Sequence, residues 1–260
     1  MMVRGDRGTT RSRSRALATV APGENEDRVD RPFVFINMAM TADGKIATAN
    51  RAVSSFGSKR DQEHLYELRA TVDAVMAGAR TIDSNKIKLG PGGRHFRRVR
   101  LRKGLAEFNL RVVVSGSGTI DPCATIFQHH FSPIVVLTSE QASGAKLKQL
   151  RSLSDDVHVS GKEQIDFRHA LRHLRIKWKV RRLLCEGGGE LNAALLGAGL
   201  VDELHLTICP KVFGGRTAPT IAEGCGAKLL RDAARLELKS STRVGDELFL
   251  VYRVKPQQGA

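Results

Sequence analysis

The sequence predicts an α/β fold: a mostly parallel sheet flanked by helices, with an antiparallel edge near its C-terminus. Three stretches carry that expectation. Phe33–Met40 (FVFINMAM) is a nearly continuous apolar run, as a central strand covered on both faces requires. Residues 181–215 run as strand, glycine turn, helix and strand. In that stretch Leu183, Leu184 and Cys185 precede Gly187-Gly188-Gly189. Leu191, Ala194, Leu195 and Ala198 then recur at helical spacing up to Gly199, and Leu204, Leu206 and Ile208 alternate with polar residues. Residues 234–241 and 247–254 alternate about Gly245-Asp246, which is the pattern of an antiparallel hairpin.

The other elements follow in order. Residues 1–30 are rich in Arg, Ser, Thr and Gly and are expected to form a disordered basic tail ahead of a catalytic-size domain over 31–260. Ser58–Ala70 (SKRDQEHLYELRA) predicts a helix with Ser58 as N-cap and Asp61 three residues on, close to a capping box. Val72–Gly78 predicts the next strand, and 111–114 and 134–137 predict two more. Helices are expected at about 143–152 and 166–177.

Composition narrows the function classes. The chain has 260 residues, 41% hydrophobic and 27% charged, as a globular protein does. No apolar run approaches the roughly 20 residues that span a bilayer, so no membrane association and a cytoplasmic location are expected. The four cysteines form no C-x-x-C pair, which argues against a zinc site; Cys185 and Cys209 fall in apolar strand patterns and read as reduced core residues. A net charge of +15 raises the alternative of a non-catalytic nucleic-acid-binding protein. Much of that charge lies in the tail and in Arg94–Lys103, expected to be a solvated surface loop, and only 5% of residues are aromatic, leaving little to stack bases on. No nucleic-acid partner is therefore expected.

Chemistry is expected where strands end. A glycine turn between strand and helix presents unpaired N–H groups that favour a phosphate. The spacing Gly187-x-Gly189-x-x-Asn192 lacks the third glycine of the dinucleotide fingerprint. Gly78 and Thr81 follow a second strand, Asn37 interrupts the first, Ser115 ends a third, and Arg69 stands at a helix end. In an open parallel sheet, ligands sit beyond the carboxyl ends of the strands.

The segments MAMTADGKIA (38–47), LRATVDAVMAGARTI (68–82) and LCEGGGELNAALLGAGLVDELHLTICPKVFGG (184–215), in that order, resemble the pyrimidine reductases of riboflavin biosynthesis in their stand-alone form. The likeness covers residues 31–255. It implies a dihydrofolate-reductase-like fold that binds NADPH, needs no metal and commonly dimerises. It implies hydride transfer to C1′ of a phosphoribosylamino pyrimidine, either the uracil or its 2,5-diamino precursor, turning ribosyl into ribityl. By matching position it assigns Gly187, Gly188, Gly189, Glu190 and Leu191 to the pyrophosphate, and Ala39, Thr81, Asn85 and Ser115 to the rest of the cofactor. Glu186, Asn37, Ser55 and Arg69 become substrate positions, with Arg69 approaching the phosphate. Glu186, Asp43 and Lys45 are the candidate catalytic groups. The stretch Asp83-Ser84-Asn85-Lys86-Ile87-Lys88-Leu89-Gly90 departs from the family's Asp-Asp-Pro-x-Leu-Thr. That departure keeps open a reductase of the same fold acting on another pterin or pyrimidine.

Overall fold

The computed structural model describes residues 30–51, 56–84 and 87–256. The tail expected over residues 1–30 lies outside these, apart from Asp30. In chain order the elements are β1 (Phe33–Thr41), α1 (Lys59–Arg69), β2 (Ala74–Gly78), α2 (Ala79–Ser84), α3 (Arg94–Arg102), β3 (Leu110–Val114) and β4 (Ile134–Thr138). There follow α4 (Gly144–Leu153), β5 (Asp156–Val159), α5 (Phe167–Lys177), β6 (Arg182–Cys185), α6 (Gly189–Gly197), β7 (Glu203–Cys209), β8 (Leu236–Val244) and β9 (Glu247–Val254).

The nine strands among the described residues join one sheet, ordered β5-β4-β3-β2-β6-β1-β7-β9-β8. β5 through β7 run parallel, while β9 pairs antiparallel with β7 and β8 with β9. The apolar runs explain the order. β1, β2, β3, β4 and β6 sit inside the sheet and need apolar residues on both faces. One face packs Ala170, Leu171 and Leu174 of α5 and Leu191 and Leu195 of α6 against Val34, Ile36, Met76 and Val112. The other packs Leu65 and Leu68 of α1, Ile82 of α2 and Leu150 of α4 against Phe35, Val75, Val113 and Leu184. The helices thus form a layer on each side.

Two findings differ from the sequence reading. The basic run over 94–103 is not a solvated loop but helix α3, whose Arg100 is buried. Its guanidinium donates to the carbonyls of Arg69 (2.7 Å), Val72 (2.6 Å) and Ala106 (2.9 Å), tying the end of α1 to the entry of β2. A guanidinium with its stem in the core satisfies helix-end carbonyls that otherwise have no partner. The second is β5, four residues that include His158; its pattern is too short and too polar to stand out in sequence.

Candidate active site

The ends of β1, β2, β3 and β6 open onto one cleft, lined by Asn37, Ala39, Thr81, Ser115, Glu186, Gly188, Gly189, Glu190 and Leu191 among others. Ser115 and Thr81 stand where β3 and β2 give way to a loop and to α2. The turn after β6 is built from glycine because little else fits. Gly187 has φ +80°, and a Cβ there would lie 2.7 Å from Met38 Sδ. A Cβ on Gly189 would lie 2.5 Å from the Thr220 carbonyl oxygen. At Gly188 it would meet only Thr81 Oγ1, at 3.4 Å, so Gly188 faces open cleft. The Gly187 carbonyl is held by the Gly78 N–H at 2.9 Å, which fastens the turn to the end of β2. Gly188 is the N-cap of helix α6 and offers no side-chain cap, leaving first-turn N–H groups for an anionic ligand. Glu190 and Arg80 form an exposed pair at the rim, 3.1 Å apart. A backbone cradle without Cβ atoms fits a pyrophosphate.

Glu186 follows Cys185, which pairs in register with Ile36, so the carboxylate comes to lie beside Asn37. It is bidentate with Arg69: Nε donates to Oε1 at 2.6 Å and Nη2 to Oε2 at 2.5 Å. Arg69 Nη1 donates to the Gly90 carbonyl at 2.7 Å. Both side chains are only 10% exposed. Burial opposes the guanidinium charge, yet the Glu186 carboxylate prevails and holds the arginine above its ordinary pKa. Asn37 is also buried, and its Oδ1 has no partner among the described residues. A buried acceptor left bare costs about 1–3 kcal/mol, which a ligand N–H or O–H would recover.

The expected site residues divide into three sets. Asn37, Ala39, Thr81, Ser115, Glu186, Gly188, Gly189, Glu190 and Leu191 come together on the cleft wall, with Gly187 behind them as the turn's pivot. Arg69 is near but off that wall, its fork engaged by Glu186 and Gly90, so that it also supports the carboxylate. Asp43 and Lys45 are not on the wall either. Asp43 is committed to the turn after β1, accepting from the Thr41 hydroxyl and from the N–H groups of Phe213 (3.2 Å) and Gly214 (2.7 Å). Lys45 Nζ donates to the Ala218 carbonyl at 3.2 Å. Both serve to fasten the 211–220 segment to the end of β1. Ser55 and Asn85 lie outside the described residues. The sequence reading missed Asp61 and Gly57 at the head of α1, which line the cleft together with the 222–228 segment. Asp61 was visible there only as a helix-start residue.

Comparison with known proteins agrees with this architecture. A family model described as the RibD C-terminal domain matches residues 32–250. A 2,5-diamino-6-ribosylamino-4(3H)-pyrimidinone 5′-phosphate reductase of Methanothermobacter thermautotrophicus is 36% identical over 225 residues, 86% of this chain and 99% of its own length. A protein of the same name from Archaeoglobus fulgidus is 32% identical over 75% of this chain and 87% of its own length. Among solved structures, a pyrimidine reductase-like protein of Corynebacterium diphtheriae superposes with TM-score 0.71 at 21% identity, over 88% of this chain and 94% of its own. Acinetobacter baumannii RibD superposes with TM-score 0.69 at 18% identity over 87% of this chain, which spans 58% of that longer protein. The fold, the glycine turn and the family match agree: the chain belongs to the RibD C-terminal domain family.

Proposed function

We propose that this chain is an NADPH-dependent reductase that converts the ribosyl group of a phosphoribosylamino pyrimidine to ribityl in riboflavin biosynthesis. The observation that carries the proposal is the meeting, in one cleft, of a Cβ-free glycine cradle with a buried Glu186 carboxylate held rigid by Arg69. The cradle suits the cofactor pyrophosphate, and Glu186 with the bare Asn37 acceptor suits a ligand rich in hydroxyl and amino donors. Of the two pyrimidines we favour the 2,5-diamino form, because relatives matched over almost their full length carry that name.

When bound, the nicotinamide would supply the hydride, with Ala39 among the residues that would hold it. The chain's own part is positioning. Glu186 orients the sugar hydroxyls, Thr81 and the glycine cradle fix the cofactor, and α1 covers the sheet face that excludes water. The four free cysteines, with Cys185 and Cys209 buried, suit a reducing compartment such as the cytoplasm. Strand β8 is exposed along all nine residues, with Leu236, Leu238 and Val244 uncovered, and a second copy of the chain would cover it as a homodimer. Light scattering tests the dimer. The activity is tested by following NADPH and NADH oxidation with each of the two pyrimidines. Turnover with the diamino compound and NADPH is expected; absence of turnover with both compounds refutes the reading.

A further inference from the structure

The start of α1 is wired unlike an ordinary capping box. Ser58 accepts from the Asp61 N–H at 3.2 Å, as an N-cap does. In a capping box the Asp61 carboxylate would reach back to the Ser58 N–H. Here Glu247 of β9 takes that place: its carboxylate accepts from Ser58 N at 2.7 Å and from Ser58 Oγ at 2.5 Å. The Asp61 carboxylate is released from capping and lines the cleft instead. There the Thr207 hydroxyl is the neighbour that most favours its charged form. Gly57 closes over it from behind, since a Cβ at that position would overlap the carboxylate.

The sheet register says where that places it. Thr207 on β7 pairs with Ala39 on β1, and Cys185, just before Glu186, pairs with Ile36 on the other side of β1. Alternate residues share a face, so Glu186, Asn37, Ala39 and Thr207 stand on the face that α1 covers. Glu186 therefore bounds one side of the Ala39 position and Asp61 the other. Resting on the reductase reading above, we propose that Asp61 is the catalytic acid of the reduction, giving its proton to the nitrogen attached to C1′. As the nicotinamide's hydride forms the new C–H bond at C1′, the π pair of the open-chain C1′=N bond moves onto nitrogen. An N–H bond forms there as the Asp61 O–H bond breaks, and the carboxylate left behind is reprotonated from solvent at the cleft mouth. Hydride and proton together complete the conversion of imine to amine.

The surroundings suit an acid. Burial raises the Asp61 pKa, the Thr207 hydroxyl lowers it, and the neighbouring Glu247 carboxylate raises it again, for a net rise above its ordinary value. The titratable groups facing it are Glu247 from β9, Cys209 from β7, whose thiol is pushed up to about 12 by burial, and His64 one turn along α1, which lowers the Asp61 value. Lys211 is turned to the Phe56 carbonyl, 3.1 Å away. Covering Asp61 with a phosphorylated substrate removes more water and adds negative charge, both of which favour the protonated form.

The test uses the full chain with Asp61→Asn and Asp61→Glu. With NADPH and the diamino substrate, Asp61→Asn is expected to lower kcat about 100-fold or more while NADPH affinity stays within about threefold. A fall of kcat with rising pH is expected for the wild type; it should vanish in Asp61→Asn and return, with partial activity, in Asp61→Glu. Independently of turnover, carboxyl NMR of the ligand-free wild type should show Asp61 titrating above the ordinary range. Wild-type turnover with Asp61→Asn retaining kcat within about threefold, or loss of NADPH binding in step with activity, overturns the proposal. So does an ordinary or depressed Asp61 titration, a measurement that stands even where Asp61→Asn does not fold. A wild type that turns over neither pyrimidine fails the reductase reading itself, whatever Asp61 titrates at.

Discussion

Substitutions along the glycine turn separate the needs of folding from those of the cofactor. Gly188 has φ −66° and ψ −177°, which any residue adopts, and a Cβ there meets only the Thr81 hydroxyl oxygen at 3.4 Å. Gly188→Asn and Gly188→Asp should therefore fold with stability within about 1 kcal/mol of wild type. The two side chains are nearly isosteric, so their difference isolates charge. A carboxylate about 5 Å from a pyrophosphate charge, at an effective dielectric of about 20, is repelled by about 3 kcal/mol. Screening at the open mouth reduces this, and a loss of at least tenfold in NADPH affinity, about 1.4 kcal/mol, is expected for Asp beyond that of Asn. Gly189→Ala behaves oppositely. Its Cβ would sit 2.5 Å from the Thr220 backbone oxygen, which cannot swing away as a side chain does. Overpacking of that kind costs about 1–3 kcal/mol, visible as a lowered Tm without any ligand. Fluorescence titration with NADPH across a salt series, paired with ligand-free melts, reads both effects. Equal affinity of Gly188→Asp and Gly188→Asn at low salt, with both folded, would refute the turn as the pyrophosphate site.

Further outcomes follow from the buried charges. Glu186→Gln should lose activity and also about 3 kcal/mol of stability, because it leaves the Arg69 guanidinium buried without its counter-ion. Denaturant unfolding checks this, and an unchanged midpoint would show the pair to be energetically idle. Arg100→Met strips a donor set from the carbonyls of Arg69, Val72 and Ala106 and should cost about 3 kcal/mol; Arg100→Lys should recover part of it. At Asp156 burial works against the charge, but hydrogen bonds from Lys177, Trp178 and His173 outweigh it and hold the carboxyl down at about 2. Since this lies below the unfolded value near 4, Asp156 stabilises the fold above pH ~4, by about 2 kcal/mol, and the benefit is lost as pH falls towards 2. The stability gap between wild type and Asp156→Asn, measured from pH 7 downward, should close accordingly; a gap that persists at pH 2 would assign it to packing.

Much of this protein is written locally. The apolar runs at β1, β2, β3, β4 and β6 announce strands covered on both faces, and the glycines after Cys185 announce the turn that only small residues can make. Alternation about Gly245-Asp246 announces the antiparallel edge. These are periodicities and steric limits within one segment, so sequence carries them. Partnerships between distant segments are not written in either segment. Arg69 and Glu186 are 117 residues apart, and nothing in either neighbourhood says that the two side chains meet. Arg100 stood in a run of charges that looked solvated, and three backbone carbonyls brought together by folding drew it inside. Asp43 and Lys45 look free to do chemistry in sequence, and folding hands their polar atoms to the 211–220 segment. Asp61 is the sharpest case: its own sequence gives it a capping role, and Glu247, arriving from the last strand, takes that role over and turns the carboxylate to the cleft.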